Sequence, residues 1–108
     1  LLINLNNKNW CYLYIFWELN ILKELGFDPN LKLFKANLSN EEIVNIKVDN
    51  IKYKLPSFLI TGKIPLEVDT KLLYYGLIFT RSIMLSKFFL PNNLIFPKAR
   101  ILLEKYFS

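Results

Sequence analysis

The stretch Thr70–Phe89, TKLLYYGLIFTRSIMLSKFF, decides the fold of this chain. At helical spacing its apolar side chains fall on nearly all sides, and a helix without a polar face is one that neighbours cover on most sides. We therefore predict a long central helix here, with Asp69 or Thr70 as its N-cap. The Pro91-Asn92-Asn93 sequence then breaks the chain.

A first helix is predicted from about Asn9 to Leu25, because Gly26 stands where a left-handed C-cap belongs. Glu18 falls in the middle of its apolar face, and burying an unpaired carboxylate costs several kcal/mol. We therefore expect Glu18 to find a cation or several hydrogen-bond donors. The other predicted members of this face are Cys11, Tyr14, Ile15, Ile21, Leu22 and Leu25.

Between these helices the pattern changes from helical to alternating. Apolar residues alternate with lysines on both sides of Asp49-Asn50, which is typical of a half-buried β-hairpin with its lysines outward. The inward residues of this hairpin are predicted to be Ile46, Val48, Ile51, Tyr53 and Leu55, and the outward lysines Lys47, Lys52 and Lys54.

A closing helix is predicted from Pro97 through Phe107, because proline is favoured in the first helical turn. Leu102, Leu103 and Phe107 are expected to pack inward from it. The predicted fold is mainly α, a small helical bundle with a short β-hairpin insertion at about residues 43–55. Residues 1–108 are predicted to form one domain, since this length is too short for two.

The composition argues against an enzyme. The chain contains no histidine and one cysteine, Cys11. The absence of histidine removes the commonest general base, the serine and cysteine triads and the commonest zinc ligand, and one cysteine cannot form a disulfide framework. No apolar stretch reaches the roughly 20 residues of a membrane span, and LLINLNNKNW lacks the parts of a signal peptide. We expect a cytoplasmic protein without catalytic residues, metal or cofactor.

The net charge of +5 suggests an anionic partner. Twelve of the 14 basic residues are lysines, which an AT-rich coding sequence also favours, so the charge alone identifies no partner. The two arginines, Arg81 and Arg100, are the candidate partners of Glu18 in a structural ion pair, because arginine offers a planar fork of donors. A candidate partner- or DNA-binding patch is Lys87, Lys98, Arg100 and Lys105.

Tyr14–Leu31, YIFWELNILKELGFDPNL, resembles the opening helix of the C-terminal domain of RecO, the bacterial recombination mediator. The shared features are an aromatic-Glu-Leu start, paired aliphatic residues, a Gly-aromatic step and a short Asn-Leu turn. Leu55–Leu59 is similar to the family's middle segment, and Pro97–Leu103 to its closing basic-Ser-Arg-x-Leu helix, with Ala99 in place of Ser. The three motifs occur in the family's order.

The resemblance implies a non-enzymatic role in DNA repair and recombination. Its implied partners are RecR, single-stranded DNA, bound weakly by this fragment, and the C-terminal tail of the single-strand-binding protein, which ends in acidic residues and an apolar side chain. We expect the site for this tail around the long helix and the closing helix, with Lys87, Lys98 or Lys105 as its cations. Many relatives bind zinc through cysteines after the first helix, but Leu31–Ala36 contains none, so no zinc is expected. The family's N-terminal OB-fold has no counterpart in these 108 residues.

Two alternatives from other classes remain open at this point. The first is a structural helical module that packs against a partner, without a nucleic-acid role. The second is a peripheral membrane-binding domain, which the apolar content and the positive charge would both suit. Steep salt dependence of binding to single-stranded DNA would favour the mediator, and co-sedimentation with liposomes the membrane-binding domain.

Overall fold

The computed structural model describes residues 10–38, 42–48 and 50–107, and confirms a mainly helical chain with a two-stranded antiparallel hairpin. Asn9 and Asp49, predicted at the start of the first helix and in the hairpin turn, lie outside the described residues. The elements in chain order are α1 (Trp10–Glu24), a 3₁₀ helix (Leu31–Asn37), β1 (Ile43–Val48), β2 (Ile51–Pro56), α2 (Phe58–Thr61), α3 (Thr70–Met84), a π-helical segment (Leu85–Phe89) and α4 (Lys98–Phe107).

Helix α3 is central, as its apolar sequence predicts, and packs against α1, β2 and α4. Asp69 is its N-cap: one carboxylate oxygen accepts the backbone N–H groups of Lys71 and Leu72, at 3.0 and 3.3 Å. The regular helix ends at Met84, five residues earlier than predicted. The N–H of Leu90 then donates to the carbonyl of Leu85, so the chain continues to Phe89 with the wider hydrogen-bond spacing of a π-helix.

The buried face of α1 differs from the predicted face, because it includes Tyr12 and excludes Leu25. Tyr12 is fully buried, whereas Leu25, predicted inside, is exposed. The hydroxyl of Tyr12 donates to the carbonyl of Glu67 and accepts the N–H of Asp69, at 2.9 and 2.8 Å. These two hydrogen bonds connect α1 to the loop before α3. Contacts between such distant residues cannot be predicted from the spacing of apolar residues along α1.

The chain turns sharply after α1, as the predicted C-cap requires. Gly26 has φ +88°, and the N–H of Phe27 donates to the carbonyl of Leu22 at 2.8 Å. This is the six-to-one bond of a Schellman motif. The turn leads to the 3₁₀ helix, which packs against the short helix α2. The turn at Gly26 thus directs the chain into the 3₁₀ helix that packs on α2.

The hairpin pairs Val44 with Leu55 and Ile46 with Tyr53, and its inner face lies on α3. The ring of Tyr53 meets Phe79 edge to face, with centroids 5.0 Å apart. The predicted outward position of the lysines is confirmed. Ile51 was predicted inside but is half exposed, because it lies beside the turn, at the end of the hairpin.

Helix α4 begins at Lys98 and also presents a different face from the predicted one. Leu102 was expected inside but is 61% exposed, while Phe107 is buried and Leu103 half buried as expected. Arg100 and Glu104 lie on the buried side with them. At 3.6 residues per turn these four positions share one face, with Leu102 outside it. The contacts of these two buried charged residues therefore determine which face of α4 points inward.

Candidate functional site

An ion pair between Glu18 of α1 and Arg100 of α4 lies at the centre of the bundle. Arg100 donates to both carboxylate oxygens of Glu18, through Nε at 2.6 Å and Nη2 at 2.8 Å. Nη2 also donates to the carbonyl of Leu77 and to the hydroxyl of Thr80, each at 3.0 Å. That hydroxyl donates to Glu18 Oε1 at 2.7 Å. Helices α1, α3 and α4 therefore meet at one buried polar cluster.

Glu104 also belongs to the cluster and pairs with the second arginine, Arg81. Its carboxylate accepts Nη1 of Arg100 at 3.0 Å and lies 3.2 Å from Nε of Arg81. Of the two predicted partners, Glu18 thus pairs with Arg100, whereas Arg81 pairs with Glu104. Burial raises the pKa of the Glu104 carboxyl, and the two arginines oppose that rise.

The geometry of the cluster fits a structural role, in which buried side chains hold helices together. Glu18 is 4% and Arg100 7% exposed, so neither is open to a substrate. The polar contacts described above join α1, α3 and α4 to one another, apart from the contact of Arg100 with Glu104 within α4. A bidentate arginine–carboxylate pair of this kind fixes the relative orientation of the helices that carry it. We call Glu18, Thr80, Arg81, Arg100 and Glu104 the ion-pair cluster.

The half-buried Tyr14 beside this cluster gives a spectroscopic test of its charges. Burial first, and then the negative charge of Glu18, raises the pKa of the Tyr14 phenol to about 12. The folded state holds the phenolic proton of Tyr14 more tightly than the unfolded state does. This difference stabilises the fold fully below pH ~10, and the stabilisation is lost as the pH rises toward 12. Ultraviolet titration of tyrosinate should lose its highest-pH component in Tyr14→Phe. An unchanged titration curve would contradict this assignment.

The structure divides the predicted basic patch. Lys98 and Lys105 are exposed on α4 and lie seven residues apart, which places them on one side of the helix. Lys87 is exposed on the π-helical segment. Arg100 was predicted to belong to this patch, and that prediction is wrong: its side chain is buried and its guanidinium is engaged by Glu18 and Glu104. The sequence analysis assigned Arg100 both to a structural ion pair and to the basic patch. Its burial is consistent with the ion pair alone.

A groove that was not predicted opens between α1, the 3₁₀ helix and α2. Its volume is about 530 Å³. Three lysines and one aspartate supply its charges, and the aspartate, Asp28, already accepts the N–H of Asn30 at 2.9 Å. We call this the tail groove, because it lies beside the C-terminal half of α1. Its apolar lining residues are Phe16, Leu19, Pro29, Leu31, Leu59 and Ile60, and its lysines are Lys23, Lys32 and Lys35.

Sequence reasoning missed the tail groove because its parts come from three separate elements. Lys23 lies on the polar side of α1, and Lys32 and Lys35 are exposed on the 3₁₀ helix. Only the reversal at Gly26 brings the two sets together. The sequence feature that could have indicated this groove is the Gly26-Phe27 pair. It predicts a Schellman turn, and hence a chain that folds back on the end of α1.

Neither a metal-binding cluster nor a membrane-spanning helix occurs among the described residues. Across residues 10–38, 42–48 and 50–107, histidine, cysteine, aspartate and glutamate form no group of three that would hold a metal ion. Within the same ranges, every helix is too short or too polar to cross a membrane.

Comparison with known proteins adds no identification. The sequence matches no protein-family model, and searches of curated proteins and of solved structures returned no significant match.

Proposed function

We propose that this chain is a non-enzymatic recombination mediator domain of the RecO type, which binds the acidic tail of the single-strand-binding protein in the tail groove. The observation that carries the proposal is the coexistence of three lysines and an apolar floor in one concave site. An acidic peptide that ends in an apolar side chain needs both. The volume of about 530 Å³ lies in the range of pockets that enclose small ligands.

The groove suits each part of such a tail. The terminal apolar side chain would pack against the half-buried Phe16 and Leu19, and burial of its own apolar surface would supply most of the affinity. The acidic residues would meet Lys23 and Lys32 at the rim, where charge attraction increases the association rate and selects acidic sequences.

The ion-pair cluster supports the resemblance on which the proposal rests. Glu18 belongs to the opening aromatic-Glu-Leu motif and Arg100 to the closing basic motif. These two residues are 82 positions apart, yet they form one bidentate pair. Two motifs chosen from sequence alone thus meet at a single contact. RecR and DNA are proposed as further partners, with the exposed Lys87, Lys98 and Lys105 as the candidate contacts.

The proposal predicts saturable binding of a labelled tail peptide in fluorescence anisotropy, with affinity that falls as salt is added. Reversing two rim charges in Lys23→Glu/Lys32→Glu should weaken binding at least about tenfold, which corresponds to about 1.4 kcal/mol. Removing the terminal apolar residue of the peptide should abolish measurable binding. Both lysines are exposed, so the variant should fold normally.

Lys52→Glu/Lys54→Glu provides the matched control, since it makes the same change of charge at two exposed lysines of the hairpin, outside the tail groove. It should leave peptide affinity within about twofold of the wild-type value, a difference of about 0.4 kcal/mol. Equal weakening by the control and the groove variant would show that binding reflects net charge alone. Such a result would remove the tail groove from the proposal.

A further inference from the structure

The loop between the π-helical segment and α4 exposes three aliphatic side chains within a short stretch of chain. Leu90 is 66% exposed, Leu94 46% and Ile95 90%. Side chains with so much of their surface in water project from the fold, and a group of exposed apolar residues marks an interaction site. We call residues 90–95 the apolar loop.

The backbone of the apolar loop satisfies its own hydrogen-bond donors. The N–H groups of Leu90, Asn92 and Leu94 donate to carbonyls of the preceding turn, at 2.9, 3.3 and 2.8 Å. The N–H of Asn93 donates to the carbonyl of Leu90 at 3.2 Å, and Pro91 has no N–H group. Every backbone donor of residues 90–94 is therefore paired within the segment. A chain that enters hydrocarbon requires such pairing, because lipid offers no partner in place of water.

The apolar loop has a fixed conformation. Asn93 has φ +55°, the left-handed conformation that ends a Schellman turn. The side-chain amide of Asn92 donates to the carbonyl of Phe88 at 2.7 Å. At the base of the loop the rings of Phe89 and Phe96 meet edge to face, with centroids 5.0 Å apart. The exposed side chains are therefore presented by an ordered backbone, which loses little conformational entropy on binding.

The charges that flank the apolar loop are basic. Residues 88–97 contain no charged residue, and Lys87 and Lys98 stand on either side of them. Both lysines are exposed. Glu104 is the only acidic residue that follows Asp69 in the sequence, and it is buried in the ion-pair cluster. An anionic surface would therefore meet cations at the loop and along α4, without an exposed carboxylate from either.

The outward side of α4 also combines apolar residues with lysines. Four exposed side chains fall within about 100° of one another around this helix, on the side opposite to Arg100: Lys98, Leu102, Lys105 and Tyr106. Leu102 is 61% and Tyr106 68% exposed. Such a combination suits the boundary between water and lipid, because lysine stems lie along apolar surface while the ammonium groups reach the phosphates.

We propose that the apolar loop inserts into the surface of an anionic phospholipid bilayer. Leu90, Leu94 and Ile95 pack among the acyl chains just below the headgroups, and Lys98 contacts lipid phosphates. Two observations favour a bilayer over a protein partner. The side chains project instead of lining a groove, so a protein would have to supply a matching pocket. The paired backbone donors meet a requirement that lipid imposes and that a protein surface does not.

This inference goes beyond the proposed function and does not involve the tail groove. The exposed lysines near the apolar loop are also the candidate DNA contacts proposed above. DNA and an anionic membrane are therefore expected to compete for them. The aliphatic side chains of the loop have no part in the DNA proposal, so substitutions there separate the two ligands.

The first test is co-sedimentation with vesicles of phosphatidylcholine and phosphatidylglycerol, and with vesicles of phosphatidylcholine alone. We expect binding to the mixed vesicles that weakens as salt is added, and binding to the neutral vesicles that is at least about tenfold weaker. Leu90→Asn/Ile95→Asn should weaken binding to the mixed vesicles at least about tenfold, the effect expected from one buried aliphatic side chain. Unchanged binding by this variant would overturn the proposal.

Leu33→Asn/Leu66→Asn is the matched control. It makes the same change at two side chains that are 72% and 96% exposed, on the 3₁₀ helix and in the loop before α3. Its affinity for the mixed vesicles should stay within about twofold of the wild-type value, because isolated exposed apolar residues do not form a binding site. Equal losses in the control and the loop variant would show nonspecific adhesion and overturn the proposal.

A fluorescent probe gives a readout that loss of structure cannot imitate. Because Cys11 is buried, an environment-sensitive fluorophore can be attached selectively to Ile95→Cys. Its emission should increase and shift to shorter wavelength when mixed vesicles are added, while the same fluorophore on Leu66→Cys should not respond. Unchanged emission at position 95 would overturn insertion of the loop.

Two further outcomes separate this inference from the proposed function. If Leu90→Asn/Ile95→Asn loses affinity for RecR or for single-stranded DNA but still binds mixed vesicles, the loop serves those partners and the membrane proposal is wrong. If the wild-type protein binds the tail peptide but neither kind of vesicle, the membrane proposal fails and the proposed function stands.

Discussion

Replacing Arg100 by methionine should lower the free energy of unfolding by about 3 to 5 kcal/mol. The change leaves the carboxylates of Glu18 and Glu104 buried, each 4% exposed, without the guanidinium that both contact. It also removes the donor to the carbonyl of Leu77. Urea denaturation followed by circular dichroism measures the effect. A loss of this size is a large fraction of the 5 to 15 kcal/mol that typically stabilises a domain.

Arg81→Met is the matched control for this prediction. Arg81 is 32% exposed and contacts only Glu104 within the described ion pairs, so its removal should cost about 1 kcal/mol or less. Arg100→Lys keeps the charge but not the fork, and should fall between the two variants. If Arg100→Met unfolds at the same urea concentration as the wild type, the ion-pair cluster does not hold the bundle together.

Gly76→Val should lower the free energy of unfolding by about 1 to 3 kcal/mol, through overpacking where α1 crosses α3. A Cβ atom on Gly76 would lie 3.0 Å from Cδ1 of Ile15 and 3.7 Å from Cζ of Phe58. The further methyl groups of valine have no space in this contact. Thermal or urea unfolding of the purified variant measures the cost.

Gly76→Ala separates the steric effect from helix propensity. Alanine improves the propensity of α3 by about 0.5 to 1 kcal/mol, which offsets a contact that the flexible end of Ile15 relieves. We expect a change near zero for Gly76→Ala, and a gain in stability when Ile15→Val, which lacks Cδ1, is the background. A double-mutant cycle reports the coupling. No coupling between positions 15 and 76 would contradict the close approach.

The elements that sequence reasoning located correctly are those in which one local signal dominates. Helix α3 is apolar on nearly all sides and is preceded by Asp69, a strong N-cap residue. The hairpin alternates with period two on both sides of a two-residue turn, which fixes the register and the outward lysines together. Gly26 marks the end of α1 because its φ of +88° strongly favours glycine.

What sequence reasoning could not supply depends on contacts between distant elements. Tyr12 is fully buried, and its hydroxyl is paired with Glu67 and Asp69, which lie 55 and 57 positions further along the chain. The rotation of α4 follows from Arg100 and Glu104, charged residues that a hydrophobicity pattern assigns to the surface. The tail groove requires the relative placement of α1, the 3₁₀ helix and α2, which no single segment encodes.

The pairing of Glu18 with Arg100 also has a consequence for how the chain is made. Translation adds about 5 to 20 residues per second, so Arg100 is synthesised roughly 4 to 16 s after Glu18, which precedes it by 82 positions. During that interval the carboxylate of Glu18 lacks its guanidinium partner, and the apolar α3 lacks the cover of α4. This bundle is therefore completed only after α4 has left the ribosome, and a nascent chain stalled before Arg100 should be a substrate for chaperones.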